Sequence, residues 1–363
     1  MSKLSQSCRA WAAALTLVAA PALAAPASGP LKIISIDVEG GAATLYVTPQ
    51  GHSLLIDTGW PAGRGGRRAP GAPIPSSSAE RIVAAAKSAG LSKLDYVLIS
   101  HYHVDHSGGV PDLMARMPIG AFVDHGPNRE SLPANPTPAD IANDPIIFYN
   151  KYLTAIAGKK RIVLTPGQQL KLDGLTFTVI NADRKMLAKP LPGAGGPGAD
   201  CAATTSKTDD GGEENPRAVG VLARYGKTRI LSLADTTWDM ENRLVCPINT
   251  IGLVDLMFAD NHGNEQANSP NLVNSVKPQV AIFNNGTGKG GDGETLDRYA
   301  HLPSDVWQLH FATRSPEKNM PADRIANVDG PDATNPLIIS VDRGGSFTVT
   351  NTRNSFSKTY RAR

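Results

Sequence analysis

The sequence predicts an α/β protein, a sandwich with β-sheet at its core. Two observations support this fold class. Short apolar runs of strand length recur in two halves of the chain, and helical segments lie between them. The 363 residues are enough for one large domain or two small ones, and an apolar content of 41% is ordinary for a soluble globular protein.

The first half alternates strands and helices. Apolar runs bounded by turn residues predict strands at residues 31–38, 43–47, 53–56, 94–100, 121–124, 161–165 and 175–181. Helices are predicted at residues 78–89, 110–116 and 138–157. Ser77 or Ser78 caps the first helix, and Pro145 interrupts the third.

The second half begins with a hairpin. Strands are predicted at residues 218–224, 228–233, 254–259, 279–283, 306–313 and 337–341, and helices at 238–245 and from Ser269 or Asn271. The domain is expected to span residues 31–345, followed by a C-terminal tail at 346–363. Residues 190–214 have almost no large apolar side chains, which predicts a flexible insertion.

Residues 1–24 have the features of a signal peptide. Lys3 and Arg9 form a basic region, residues 11–20 are apolar, and residues 22–24 form a small-x-small cleavage site. A membrane anchor is the alternative, but the apolar run is too short and Pro21 interrupts it. We expect export to the periplasm or beyond, with no membrane anchor after cleavage.

The net charge limits the expected classes of binding partner. The net charge of +3 falls to about +1 without Lys3 and Arg9, which gives no general case for nucleic-acid or membrane-surface binding. The expected partner is a small-molecule substrate, and an anionic one fits.

Cys201 and Cys246 remain after signal cleavage, and either a disulfide or two free thiols fits the sequence.

Residues 101–109, with the sequence HYHVDHSGG, carry the most specific chemical pattern. Three of the eight histidines fall in this stretch with an aspartate among them. Imidazole and carboxylate are ligands that zinc prefers. His101 and His103 lie two apart and can share one metal. Asp105 and His106 follow as the chain turns and can reach a second metal.

The spacing H-x-H-x-D-H-x-G-G resembles the signature of the metallo-β-lactamase fold superfamily. The resemblance implies an αββα sandwich with one or two metal ions, most often zinc, at the sheet edge. We therefore expect two divalent metal ions as cofactors, with zinc the first candidate. A polar surface loop with histidines by chance is the alternative.

Two distant stretches supply the remaining ligands that the resemblance implies. Asp235 ends an apolar strand, as the bridging aspartate of the superfamily does, and the stretch is similar to the G-D-L of the competence-protein-like branch, with Ala234 in place of Gly. His262 matches the second-metal ligand of that branch, although Asn261 replaces the preceding His. A plain strand-end aspartate and a capping or core histidine are the alternatives.

Other residues are candidates for supporting roles. Asp57 ends a strand and could accept a hydrogen bond from a ligand histidine, and the resemblance implies the same role; a turn residue is the alternative. Arg67 and Arg68 lie in a Gly/Pro/Arg-rich loop that could hold an anionic substrate, or that could simply be solvated.

Three further histidines stay open. Either His125 is a first-metal ligand, or that metal is held by His101, His103, Asp235 and water, as the branch resemblance favours. His301 and His310 are each either contacts to the substrate or leaving group, or structural residues.

The expected chemistry is metal-assisted hydrolysis. Two metals held in this way lower the pKa of a bridging water and supply hydroxide, which Asp105 would orient as the catalytic residue. The first hypothesis is an exported hydrolase acting on an ester or phosphoester. The alternatives are a β-lactamase or lactonase, or a metal-binding protein that does not hydrolyse.

Overall fold

The fold has four layers, two of helix and two of sheet. A computed structural model of the chain describes residues 29–65, 76–203, 207, 212–330 and 334–363. In these residues two large sheets pack face to face, and helices cover the outer face of each sheet. The predicted α/β class and αββα layer order are therefore confirmed.

The strands divide between the sheets by sequence position. In chain order they are β1 (Leu31–Ser35), β2 (Thr44–Val47), β3 (Ser53–Ile56), β4 (Leu94–Leu98), β5 (Ile119–Asp124), β6 (Lys160–Val163), β7 (Gln169–Leu172), β8 (Leu175–Ala182), β9 (Lys185–Met186), β10 (Gly220–Tyr225), β11 (Thr228–Ser232), β12 (Leu256–Phe258), β13 (Val280–Phe283), β14 (Asp305–His310), β15 (Ile325–Asn327), β16 (Leu337–Val341), β17 (Ser346–Asn351) and β18 (Ser357–Arg361). The first sheet has the order β18-β17-β16-β1-β2-β3-β4-β5-β6. The second has the order β15-β14-β13-β12-β11-β10-β8-β7, and β9 pairs with β8.

Side chains cap the first turn of several helices. They are α1 (Ser78–Ser88), α2 (Val104–Ser107), α3 (Val110–Arg116), α4 (Pro138–Asn143), α5 (Pro145–Ala155), α6 (Trp238–Val245), α7 (Pro270–Val276) and α8 (Gly293–Ala300). Ser77 and Glu80 form a capping box at α1, and the Ser269 side chain caps α7. Asp144 separates α4 from α5 and caps the latter, which explains the break expected at Pro145.

Side chains that alternate between the two faces of each sheet produce the layers. In β1, Ile33 packs in the core between the sheets, whereas Ile34 packs against the outer helices. In β12, Leu256 lies in the same central core, whereas Met257 packs outward with Leu244 of α6. Successive residues of a strand point to opposite faces, so strands buried on both faces read as continuous apolar runs.

Parallel pairing brings strand ends together. Strands β3 to β6 pair parallel in the first sheet, and β11 to β15 pair parallel in the second. The loops that follow β3, β4, β11, β12 and β13 carry the residues of the candidate site. Parallel neighbours end at the same edge of a sheet, which explains how residues far apart in sequence meet.

The C-terminal segment corrects one expectation. Residues 346–363 were predicted to form a tail, but they contribute β17 and β18 to the first sheet. Phe347 and Val349 are buried in the core between the sheets. Burial of these two side chains provides the physical reason that the segment pairs with β16. The elements β7, β15 and α8 also lie where the sequence carries no predicted element.

The insertion at 190–214 lies against the residues that follow α6. In its described part, the amide of Leu191 donates to the Thr250 carbonyl at 2.9 Å, and that of Gly198 donates to the Pro247 carbonyl at 2.9 Å. A disulfide joins Cys201 to Cys246, with their Cα atoms 5.6 Å apart. The cysteines therefore pair, and the expected flexible segment is fastened to the second half of the domain.

The predicted signal peptide, Arg67 and Arg68 lie outside the described residues. Within the described ranges, no helix combines the length and apolar character needed to cross a membrane.

Candidate metal centre

The histidine-rich loop turns sharply after β4. His103 precedes α2, a single helical turn that contains Asp105 and His106. Gly109 allows this turn to lie against the loop after β3, because a Cβ on Gly109 would come within 2.1 Å of the Thr58 carbonyl oxygen. The Thr58 amide in turn donates to the His106 carbonyl at 2.8 Å. The two loops therefore form one packed unit.

The donor atoms of the predicted ligands converge. His101 Nε2 lies 2.9 Å from His103 Nδ1 and 3.9 Å from an oxygen of Asp235. A second group is formed by Asp105, His106, Asp235 and His262, each of which offers a buried ligand atom within 4.8 Å of the others. The structure thus brings together all six residues predicted as metal ligands.

Asp235 belongs to the second group and also faces the first. One of its carboxylate oxygens is 3.2 Å from His106 Nε2, and the other is 3.5 Å from His262 Nε2. The latter oxygen is the one that faces His101 at 3.9 Å. The two histidine nitrogens of the second group are themselves 3.2 Å apart. This carboxylate therefore faces donors of both groups.

The outer nitrogens of the histidines are hydrogen-bonded, which turns the inner nitrogens toward the centre. His106 Nδ1 lies 2.8 Å from the Asp57 carboxylate. His101 Nδ1 lies 3.0 Å from Ser100 Oγ, and His262 Nδ1 lies 3.4 Å from the Asn284 carbonyl. Partners of this kind fix the tautomer and orientation of metal-binding imidazoles.

The backbone is strained at the site. Ala234, Asn261 and His262 have φ values of 55°, 47° and 55°, in the left-handed region. For residues other than Gly, Asn, Asp and His this conformation is uncommon, so the strain is greatest at Ala234, and such strain clusters at functional sites. The value at Ala234 explains why glycine suits this position in the branch that the sequence resembles.

The two carboxylates of the site are held in the charged form. Burial opposes ionisation of Asp105, but Lys289 and His106 outweigh it and hold the pKa of Asp105 well below its usual range. Burial also opposes ionisation of Asp235, and His106 with His262 holds the pKa of that carboxyl well below its usual range. The site therefore carries buried negative charge, which attracts a cation.

The histidines differ in their affinity for protons. Burial lowers the pKa of His101, and the neighbouring His106 lowers it further. For His106, burial opposes protonation, but Asp235, Asp105 and Asp57 outweigh it and raise the pKa well above its usual value. Carboxylates that favour a proton on an imidazole also favour a metal cation there. Ionised carboxylates and imidazole nitrogens are the donors that divalent ions bind, so the site fits a divalent metal.

His125 belongs to a neighbouring cluster. Its Nε2 lies 3.1 Å from the carboxylate of Glu214, which also accepts a 2.9 Å hydrogen bond from the Tyr102 amide. The structure does not place His125 in the group that contains Asp235. Glu214 is fully buried, and its role left no sign in the sequence because it lies in a polar, glycine-rich segment.

His310 and His301 also lie apart from the candidate ligands. His310 is buried, with its Nε2 2.7 Å from Asp37. His301 is exposed at the end of α8, where its Nδ1 lies 2.6 Å from the Asp297 carbonyl. Neither contact is to a candidate ligand, and both contacts fit the structural alternative for these histidines.

Two residues near Asp105 were missed from the sequence. Lys289 contacts the Asp105 carboxylate, and its Nζ lies 5.2 Å from the centre of the Trp60 ring. Lys289 lies in a glycine-rich loop that directly follows a strand, and Trp60 directly follows the Asp57-Thr58-Gly59 turn. A place in the loop that follows a parallel strand is the signal that could have identified both residues.

Comparisons with known proteins identify one family and several partial relatives. Residues 36–171 match the profile of the metallo-beta-lactamase superfamily. The chain is 23% identical over 257 residues to Recombination protein 2 of Haemophilus influenzae, covering 70% of this chain and 24% of that protein. It is 40% identical over 60 residues to the hydroxyacylglutathione hydrolase of Alkalilimnicola ehrlichii, covering 16% of this chain and 22% of that protein. The matches thus span less than a quarter of either relative's length.

Solved structures include similar folds. The metallo-beta-lactamase fold protein YhfI of Bacillus subtilis matches 77% of this chain and 96% of its own, with 14% identity and a TM-score of 0.43. The family match, the two-sheet fold and the histidine–aspartate motif agree with one another. The chain is similar to the metallo-β-lactamase superfamily over residues 36–171, which include the histidine-rich loop.

Proposed function

We propose that the protein is an exported hydrolase that uses two divalent metal ions to cleave an ester or phosphoester. The observation that carries this proposal is the group formed by Asp105, His106, Asp235 and His262, whose buried ligand atoms lie within 4.8 Å of one another. Residues from both sheets contribute to it, so the fold builds the site rather than one local motif.

The proposal divides the ligands between two metals. His101 and His103 would hold the first, Asp105, His106 and His262 would hold the second, and Asp235 would contribute a ligand to both. The position of Asp235 between His101 and His106 supports the bridging role. When bound, divalent ions supply Lewis acidity and lower the pKa of a coordinated water to near neutrality.

The side chains of the protein prepare this chemistry. Asp57 accepts a hydrogen bond from the Nδ1–H group of His106, which leaves Nε2 free to bind a cation. Asp105 is held ionised, and its Oδ2 lies 3.1 Å from His262 Nε2 and contacts Lys289. In the proposed reaction this carboxylate orients the attacking water by accepting a hydrogen bond from it.

Export is a separate part of the proposal. The basic, apolar and small-residue sequence of residues 1–24 supports it. The disulfide between Cys201 and Cys246 adds support, because disulfides persist mainly in oxidising compartments. Mass spectrometry of the protein from a periplasmic or medium fraction should show cleavage after Ala24 or Ala25. Uncleaved protein confined to the cytoplasm would contradict export.

A substrate panel tests the hydrolase proposal. Zinc-loaded protein is assayed with bis-p-nitrophenyl phosphate, p-nitrophenyl acetate, a lactone and nitrocefin. We expect turnover of the phosphodiester or the ester, and a loss of at least about a hundredfold in kcat/KM for Asp105→Asn. Asp173→Asn is the control, because Asp173 bonds His52 on the surface. Turnover of nitrocefin alone would favour the β-lactamase alternative, and turnover of none of the four would count against hydrolysis of these bonds.

A further inference from the structure

Lys289 places a cation at the edge of the candidate metal centre. Its Nζ contacts Asp105 Oδ2, the oxygen that lies 3.1 Å from His262 Nε2. The Lys289 side chain is 33% exposed, whereas that of Asp105 is 8% exposed. The ammonium group therefore lies where the buried ligands meet solvent, within reach of a molecule that enters the site.

The loop after β13 fixes the position of Lys289. The Gly286 amide donates to the Lys289 carbonyl at 2.9 Å, and the Gly291 amide donates to the His262 carbonyl at 3.0 Å. Gly290 has a φ of +69°, and a Cβ there would come within 2.2 Å of the His262 carbonyl oxygen. Only glycine permits this approach, which binds the loop to the segment that carries His262.

Trp60 lies beside the lysine. Its ring centre lies 5.2 Å from the Lys289 Nζ, within the range of a cation–π contact. The indole Nε1 donates to the Glu39 carbonyl at 3.3 Å, which orients the ring. Trp60 is partly exposed, so it offers an apolar surface beside the ammonium group.

The charge balance at Lys289 depends on what Asp105 binds. Asp105 is the carboxylate that pairs with Lys289 among the described residues. Under the proposed function, on which this inference rests, the Asp105 carboxylate becomes a metal ligand and its charge is neutralised by the metal. The ammonium group then needs another anion, and an oxyanion of the substrate satisfies it with a charge-assisted hydrogen bond.

We propose that Lys289 and Trp60 form a binding site for an oxyanion of the substrate. The ammonium group donates to a non-bridging oxygen of a phosphoester, and the indole packs against the apolar group that the phosphate carries. This assigns the substrate to the phosphoesters rather than to neutral esters. It also assigns anion binding to Lys289 rather than to Arg67 and Arg68.

The test is the binding of inorganic phosphate to zinc-loaded protein, measured by calorimetry and by tryptophan fluorescence. Lys289→Met should weaken phosphate binding by at least about tenfold, because it removes one charge-assisted hydrogen bond. Lys289→Arg keeps the charge and should stay within about threefold of the wild type. In turnover, Lys289→Met should raise KM for bis-p-nitrophenyl phosphate by a larger factor than KM for p-nitrophenyl acetate.

Lys207→Met is the matched control. Lys207 also pairs with a carboxylate, 2.9 Å from Glu294, and its Nζ lies 5.0 Å from the Trp238 ring. It has the same type of environment without a contact to Asp105, so its replacement should leave phosphate binding unchanged.

Metal content is measured in the same samples, and it separates the outcomes. Unchanged phosphate affinity in Lys289→Met at full metal content overturns this inference and leaves the proposed function standing. Loss of zinc from Lys289→Met also overturns this inference, because the lysine then acts through Asp105 rather than on the phosphate. A wild-type protein that takes up no zinc overturns the proposed function and this inference together.

Discussion

At the residue scale, Asp57 shows how one side chain prepares a ligand. Its carboxylate lies 2.8 Å from His106 Nδ1 and accepts hydrogen bonds from the Ser100 amide and hydroxyl, both at 2.7 Å. Its φ of 62° is left-handed, a conformation that aspartate and asparagine adopt more readily than most residues. The substitution Asp57→Asn would therefore keep the backbone and lose only the carboxylate.

Asp57→Asn should weaken metal binding by about 10- to 100-fold, because the imidazole loses the anion that fixes its tautomer. Competition with a chromogenic chelator measures the change. Asp173→Asn is a close control, since Asp173 also has a left-handed φ, of 48°, and pairs with an imidazole, His52, at 2.7 Å. Equal metal affinity in the two variants would contradict the role of Asp57.

The candidate ligands were predictable where sequence spacing determines geometry. His101, His103, Asp105 and His106 lie on consecutive turns of one loop, so their proximity follows from the sequence alone. His310 could not be placed in the same way, because its partner Asp37 is 273 residues away and only the fold brings the two together. Lys289 was missed for the same reason, since Asp105 is 184 residues away.

At the element scale, a buried charge network joins β14, the connection after β1, and α1. His310 Nε2 lies 2.7 Å from Asp37, and Arg81 of α1 donates to Asp37 at 2.9 Å and to Glu39 at 3.3 Å. Residues 37–42 also contact the site, because the Ala42 amide donates to the Asp105 carbonyl at 3.1 Å. The network therefore fixes a loop that supports the metal centre.

The network predicts how stability depends on pH. Burial and Arg81 oppose protonation of His310, but Asp37 and Glu39 outweigh them and raise its pKa. A raised folded-state pKa contributes stability that is fully present below the unfolded pKa of about 6.5 and is lost as pH rises through the folded pKa. The free energy of unfolding of the wild type should therefore fall, relative to His310→Gln, as pH rises above this value.

Denaturant unfolding of both proteins from about pH 6 to pH 9 measures this difference. The comparison cancels the titration of groups that both proteins share. A difference that stays constant over this range would show that His310 does not exchange its proton with folding.

Element prediction succeeded where strands are buried on both faces and failed at the edges. The apolar runs of β3, β4 and β13 identify buried strands directly, and the predicted bounds of β3 and α6 match the structure. In contrast, β18 has mostly exposed side chains, and its place in the sheet depends on backbone pairing with β17. Such pairing leaves little pattern in the sequence.

At the scale of the whole molecule, the fold brings residues of the first and second sheets together at one site. The histidine-rich loop comes from the first sheet, whereas Asp235 and His262 follow strands of the second. The apolar core between the sheets contains side chains of both, including Tyr46 and Phe177, whose rings lie 5.0 Å apart. The site therefore exists only in the folded domain.

The disulfide should stabilise the second half of this domain. Cys201 and Cys246 are 45 residues apart, so the bond restricts a long loop of the unfolded chain. Replacing both with serine should lower the free energy of unfolding by about 2–4 kcal/mol, measured by urea denaturation without reductant. Stability equal to that of the wild type would contradict this.

Metal stoichiometry tests the central claim most directly. Purified wild-type protein is loaded with zinc and freed of unbound zinc. It should then contain about two equivalents of zinc per chain by inductively coupled plasma mass spectrometry. His106→Ala should lose at least about one equivalent, and His52→Ala, at an exposed histidine, should lose none. Less than about one equivalent in the wild type, with no further loss in His106→Ala, would contradict the account.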